Sequence, residues 1–434
     1  MPLTTDHLAA RLHTLTATEI VHTIAEGKAT CEMIARACLE RIHEREPHVQ
    51  AWQYLDAKQV LAVARALDQR SAYGPLHGVP FGVKDIIDTC DMPTEYGSPI
   101  YKGHQPASDA ACVALSRRAG GVLMGKTVTT EFANRHPGKT RHPRDPQRTP
   151  GGSSSGSAAA VGDHMVPLAL GTQTTGSTIR PASFCGVFGY RPSYGDLRCV
   201  GVKEAAGSLD TLGLFARSIA DLALYRDVLL GIPAEPLPAA PATPPRIGFC
   251  RTHVWSMVEP TTQRLPEDAA QQLARAGAHI EEVALPPEFA QIEEAQRWIA
   301  SFEFARNLTW EIDTHWEQIS DALKDGRLQD GLACRFERYG AARDFAAACR
   351  GTFAAVCAPY DVLLTAAVTG EAPLGWHTGN ASPCAIWTTM YAPAITVPVF
   401  TGPNGLPVGA QLIGKRNQDR ALLVAAHWVF QHLT

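Results

Sequence analysis

Residues 76–84 read LHGVPFGVK, and their alternation decides the fold. Val79, Phe81 and Val83 fall on one face of an extended chain, with Pro80, Gly82 and Lys84 on the other. The spacing predicts a strand over 76–84 whose second face is bare enough to admit a neighbour close to Lys84. A helix over 108–119 and a short buried strand at Val122–Met124 come next. This βαβ-like alternation predicts a largely parallel or mixed sheet in an α/β protein.

Working outward, Thr16 and Glu19 form a capping box, and Thr30 precedes Ile34, Cys38 and Ile42 at i+4 steps, so two helices open the chain. Downstream, GGSSSGSAAA (151–160) is a Gly/Ser turn running into an Ala-rich helix, and GTQTTGSTIRP occupies 171–181. Prolines 233, 236, 238, 241, 244 and 245 mark 232–245 as a linker or surface loop, because no regular element tolerates them. A strand starts at Ile247–Cys250. The stretch 289–357 is helical and aromatic-rich, with Trp298, Phe302, Phe304, Trp310 and Trp316. Strand signals return at 361–365 and 395–400, and Leu412–Gly414 precedes a final helix from Asp419. There is no internal repeat.

Composition narrows the function. The 434 residues are 45% hydrophobic and 19% charged, ample for a globular core. A net charge of −4 offers no attraction to a nucleic-acid backbone. No stretch reaches the ~18 apolar residues of a membrane span, and residues 1–15 hold no uninterrupted apolar run, so the chain is read as cytoplasmic. Eleven cysteines without a CxxC pair or zinc spacing suggest neither a disulfide framework nor a metal.

Two short motifs mislead. Gly120 to Thr127 matches the phosphate-loop pattern GxxxxGK[ST], but Val122, Leu123 and Met124 are strand-like where a loop is required. Gly152 to Gly156 satisfies GxSxG and nominates Ser154 as an esterase nucleophile. Yet the preceding RHPRDPQRTP is polar and broken by proline where that fold needs a strand.

A longer set of motifs fits together. Lys84 in GVPFGVKD, the run Gly151 to Ala160, and Gly171 to Gly186 (GTQTTGSTIRPASFCG) closely resemble the amidase signature in its own order. The likeness extends through GVFGYRP (186–192) to GLPVGAQLIG (405–414) and fades over roughly 232–360. It implies one catalytic domain over 1–434, built on a large mixed twisted β-sheet covered by α-helices on both faces. The region 246–360 would be a variable, largely helical pocket region, and its aromatic helices could wall the acyl or amine pocket.

Carried over residue by residue, the resemblance makes Ser177 the nucleophile, Ser153 a bridging serine after a cis peptide bond, and Lys84 the terminal base. A serine hydroxyl must lose its proton as it attacks, and lysine can accept it only when neutral, a state that desolvation favours. The resemblance also assigns the backbone amides of Thr174, Thr175, Gly176 and Ser177 to an oxyanion hole. Thr175 stands where many members have glycine, and a β-branched residue resists positive φ. Ser154 would support the network. Arg180 would either bind a substrate carboxylate or clamp the serine loop. Asp85 and Glu131 are structural on this reading, and Cys185 needs no reactive role.

The implied activity is hydrolysis of a small amide or carbamate, including urethanes, with no cofactor, no metal, no nucleic-acid partner and no membrane. A homodimer is the assembly the family suggests. The alternatives are the glutaminase-type component of an amidotransferase complex, an esterase or arylesterase on the same scaffold, and a catalytically silent relative. The wording GTQT…RPASFCG looks more like the stand-alone, malonamidase-like amidases than like that component.

Overall fold

The strand expected at 76–84 begins at Pro80, because Leu76 to Gly78 turn first and Gly78 adopts φ 75°. A computed structural model describes residues 11–70, 74–238, 241 and 243–434. Its strands are β1 (Trp52–Leu55), β2 (Pro80–Lys84), β3 (Val122–Thr127), β4 (Leu168–Gln173), β5 (Phe188–Arg191) and β6 (Thr211–Ala216), followed by β7 (Arg246–Cys250), β8 (His279–Val283), β9 (Val362–Ala366), β10 (Ala394–Thr401) and β11 (Pro407–Ile413). They form one 11-stranded sheet in the order β1-β3-β2-β4-β6-β5-β10-β11-β9-β7-β8. The sheet is mixed, as expected: β2 runs parallel to β3 and β4, β7 runs parallel to β8 and β9, and the remaining pairs are antiparallel.

Strands β2, β3, β4 and β6 are buried at every position. That pattern belongs to strands covered on both faces. Helices Cys31–Val49, Ala57–Asp68, Ser155–Gly162 and Ile219–Leu230 pack on them, while Ile179–Cys185 and Asp419–Leu433 pack on β10 and β11. The two opening helices form as read: Thr16 and Glu19 complete a capping box, and Thr30 accepts from the Met33 amide. Helix Ala111–Arg118 makes the crossover between the parallel strands β2 and β3.

Gly/Ser chemistry lets the loops of the site lie flat on this sheet. A Cβ at Gly171 of β4 would sit 2.6 Å from Ser154 Oγ, and one at Gly213 of β6 would sit 2.0 Å from Thr178 Oγ1. Gly156, in the first turn of helix Ser155–Gly162, packs so closely on β3 that a Cβ would lie 2.4 Å from the Val128 amide. Only glycine permits these approaches.

Candidate active site

Lys84 ends β2 with its side chain fully buried. Its Nζ donates to Ser153 Oγ at 2.7 Å and to Thr172 Oγ1 at 2.7 Å. Desolvation is the main cause of a pKa lowered to about 7, opposed by the carboxylate of Asp210. Burial thus favours the neutral amine, the form that can accept a proton.

Ser153 follows a cis peptide bond from Gly152. Its hydroxyl faces the lysine, and its carbonyl accepts from the Thr130 amide at 3.3 Å. Ser154 turns the other way: its Oγ exchanges hydrogen bonds with the Thr172 carbonyl (3.2 Å) and amide (3.3 Å). It is a brace between the serine loop and β4. No strand leads into it, so the nucleophile-elbow arrangement is absent here.

Ser177 lies in the turn between β4 and helix Ile179–Cys185 and is 8% exposed. The Gln173 side chain holds that turn from behind, its Oε1 accepting from the amides of Thr178 (2.9 Å) and Ile179 (3.1 Å). Gln296 Nε2 donates to the Thr174 carbonyl and to Thr175 Oγ1, Thr388 Oγ1 donates to the Thr175 carbonyl, and Thr174 Oγ1 donates to Asp210. With the carbonyls fixed in this way, the N–H groups of Thr175, Gly176 and Ser177 find no acceptor among the described residues. A turn of unpaired donors suits a developing oxyanion. Thr175 does not adopt positive φ, so its branched side chain sits there without backbone strain.

Arg180 ties the two loops together. Its terminal nitrogens donate to the carbonyls of Gly152 (2.6 Å) and Gly379 (2.8 Å). The residue three places after Ser177 thus grips the peptide group before Ser153. Burial lowers its pKa to about 10; each terminal nitrogen makes one of these bonds, and the buried Nε has no partner among the described residues. These two bonds hold the serine loop against the turn at Gly379.

Ser177 Oγ is bonded to no other group among the described residues. Nucleophile contacts in unliganded enzymes are often long and tighten when substrate binds.

The other sequence candidates fall elsewhere. Lys126 of the false phosphate loop ends in strand β3, fully buried against Asp85 at 3.3 Å and donating to the Ile87 carbonyl and Thr94. Glu131 receives the Ser320 amide and the Ser98 hydroxyl. Cys185 is buried, which pushes its thiol pKa up. Among the aromatic residues, Phe302 stacks on Tyr339 at 4.1 Å and Phe304 is fully buried, whereas Trp310 is largely exposed. Cys90, Asp91 and Asp109 cluster near the surface, where Arg117 already pairs with both carboxylates. Sequence reasoning missed Thr172, Gln173, Asp210, Gln296 and Thr388. The only signal for them was adjacency, Thr172 and Gln173 standing just ahead of the serine turn.

Known proteins resemble the chain in sequence and in fold. A family profile described as Amidase matches residues 33–423. The A-type subunit of glutamyl-tRNA(Gln) amidotransferase from Chloroflexus aggregans is 34% identical, over 98% of this chain and 97% of the relative. Its counterpart from Symbiobacterium thermophilum is 33% identical over 97% of each. In structure, an amidase superposes with a TM-score of 0.88 at 27% identity, over 97% of this chain and 100% of the other. Native peptide amidase from Stenotrophomonas maltophilia gives 0.83 at 28% identity over 96% of each. The chain belongs to the amidase (amidase signature) family, whose enzymes hydrolyse C–N bonds.

Proposed function

We propose that the protein hydrolyses a small amide or carbamate through an acyl-enzyme, with Ser177 as nucleophile, Ser153 as relay and Lys84 as base. The observation that carries this reading is the 2.7 Å bond from a desolvated Lys84 to Ser153 Oγ. Ser177 Oγ attacks the carbonyl carbon while its proton passes to Ser153, whose own proton passes to neutral Lys84. The amides of Thr174, Thr175, Gly176 and Ser177 meet the charge that develops on oxygen. Collapse of the tetrahedral intermediate breaks the C–N bond, and the proton returns through Ser153 to the leaving amine. Water then attacks the acyl ester, the relay takes its proton, Ser177 recovers a proton and the acid departs. No step calls for a metal or an organic cofactor.

Turnover of a panel of small amides, carbamates and aryl esters by the purified chain, beside Ser177→Ala, tests the reading. Amide or carbamate hydrolysis that disappears in the variant supports it; hydrolysis that survives refutes it. The identity to the amidotransferase components favours a second reading, a glutaminase-type chain that uses the same residues within a complex. A chain inert alone on every amide and active on glutamine only with a copurified partner would establish that alternative.

A further inference from the structure

The i+3 and i+4 spacing of Phe336, Tyr339, Arg343, Ala347 and Arg350 puts them on one face of helix Phe336–Cys357. That face walls a cleft of about 280 Å³, close to the lower end of the range for small-molecule sites. None of Lys84, Ser153 and Ser177 lines it. Ile299 and Tyr391, which do, reach the serine turn through other residues. Ile299 lies one helical turn beyond Gln296, the partner of Thr175 Oγ1, and the Tyr391 amide donates to the carbonyl of Thr388.

Two arginines line the cleft, and neither forms an ion pair among the described residues. Arg350 Nε donates to the Thr389 carbonyl at 2.9 Å, and Arg343 donates to the Tyr339 hydroxyl at 3.3 Å. A third, Arg416, has its Cζ 5.2 Å from the centre of the Tyr391 ring and makes no hydrogen bond or ion pair among the described residues. Burial lowers the pKa of Arg350, and the like charges of Arg416 and Arg343 lower it further, against the pull of Tyr391. The nearby carboxylates leave these charges unpaired: Glu303 accepts from Ser208 and Tyr339, and Asp344 is exposed.

Tyr391 is held at φ 60°, a left-handed conformation that glycine takes freely and a tyrosine does not. Tyr194 stacks on its ring at 4.1 Å, and the Arg350 guanidinium lies 3.7 Å from the ring centre. Two groups that close cover the two faces, so the ring presents its edge to the cleft, and an aromatic edge is the positive side of the ring. Phe336, 68% exposed, and Tyr339 add flat aromatic surface. Backbone strain gathers at ligand clamps, and unpaired guanidiniums beside aromatic surface match an anion joined to a ring.

We propose that the cleft bounded by Arg343, Arg350 and Tyr391 is a second ligand site that takes a small aromatic carboxylate. The carboxylate meets the two arginines, and the ring lies against Phe336 and Tyr339. This goes beyond the hydrolytic reading and does not depend on it.

Calorimetric titration of the full chain with benzoate, benzyl alcohol and acetate tests the site. Benzoate carries ring and charge together, the alcohol only the ring and acetate only the charge. The expected result is benzoate bound about 10-fold or more tightly than either of the others, the margin of a charge-assisted contact. That margin should disappear in Arg343→Gln and in Tyr391→Gly. Arg343 is exposed and glycine accepts φ 60°, so both variants keep the fold, which their thermal midpoints check. Benzoate that binds no better than the alcohol and acetate overturns the site, and so does a benzoate preference that survives both substitutions.

Discussion

Lys84 Nζ donates to Thr172 Oγ1 at 2.7 Å, the same distance at which it donates to Ser153 Oγ. The second bond fixes the amine between β4 and the serine loop, and it favours the charged form of the lysine through a hydroxyl acceptor. Replacing Lys84 by Met is expected to lower kcat about 10²- to 10⁴-fold, the range for a lost general base. Thr172→Val is expected to cost kcat far less and to move the acidic limb of the pH–rate profile to lower pH, because the ammonium loses an acceptor. Steady-state profiles of both variants check this, and an unmoved limb in Thr172→Val would remove Thr172 from the account.

The pH dependence follows from the same burial. Lys84 works when neutral, so kcat/KM should rise with pH through about 7 and then level. The stability argument has the matching sign. The folded-state pKa lies below the unfolded one, so between about pH 7 and 10 the unfolded chain binds the extra proton and raising the pH stabilises the fold. In urea titrations, wild type should gain on Lys84→Met by about 1.4 kcal/mol per pH unit across that window. A pH-independent difference would mean that Lys84 is not desolvated.

Much of this was legible in the sequence, for definite reasons. Lys84 was placed by the alternation of side chains along an extended chain, and the capping box at Thr16 and Glu19 is a local device that needs no tertiary context. Strands β4 and β6 were not legible. Their glycines, Gly171 and Gly213, carry weak strand propensity, yet they are there so that Ser154 and Thr178 can press against the sheet. The role of Arg180 was open between clamp and ligand because a sequence does not show where both terminal nitrogens go. Asp210 and Gln296 lie 33 and more residues beyond Ser177, and their contacts depend on how β6 and the helical segment fold back.

Arg180→Met removes two charge-assisted bonds, one to the buried carbonyl of Gly152 and one to the part-buried carbonyl of Gly379. The expected loss is about 3 kcal/mol of stability. Because the clamp positions the Gly152–Ser153 peptide, kcat should fall alike on acidic and neutral amides. Urea denaturation and a two-substrate kinetic comparison measure both effects.

Gly171→Ala puts a methyl group 2.6 Å from Ser154 Oγ and 2.7 Å from the Phe215 ring. The crowding should cost about 1–3 kcal/mol and shift the serine loop, slowing any chemistry that depends on Ser153. An Ala variant with unchanged thermal midpoint and unchanged turnover would contradict the close packing of that loop on β4.

The most direct test of the central claim is fluorophosphonate labelling of the purified protein with peptide mass mapping, run beside Ser177→Ala and Lys84→Ala. The account predicts label on Ser177 that is absent from the first variant and strongly slowed in the second. Label on Ser154 or another residue, or none, would contradict it.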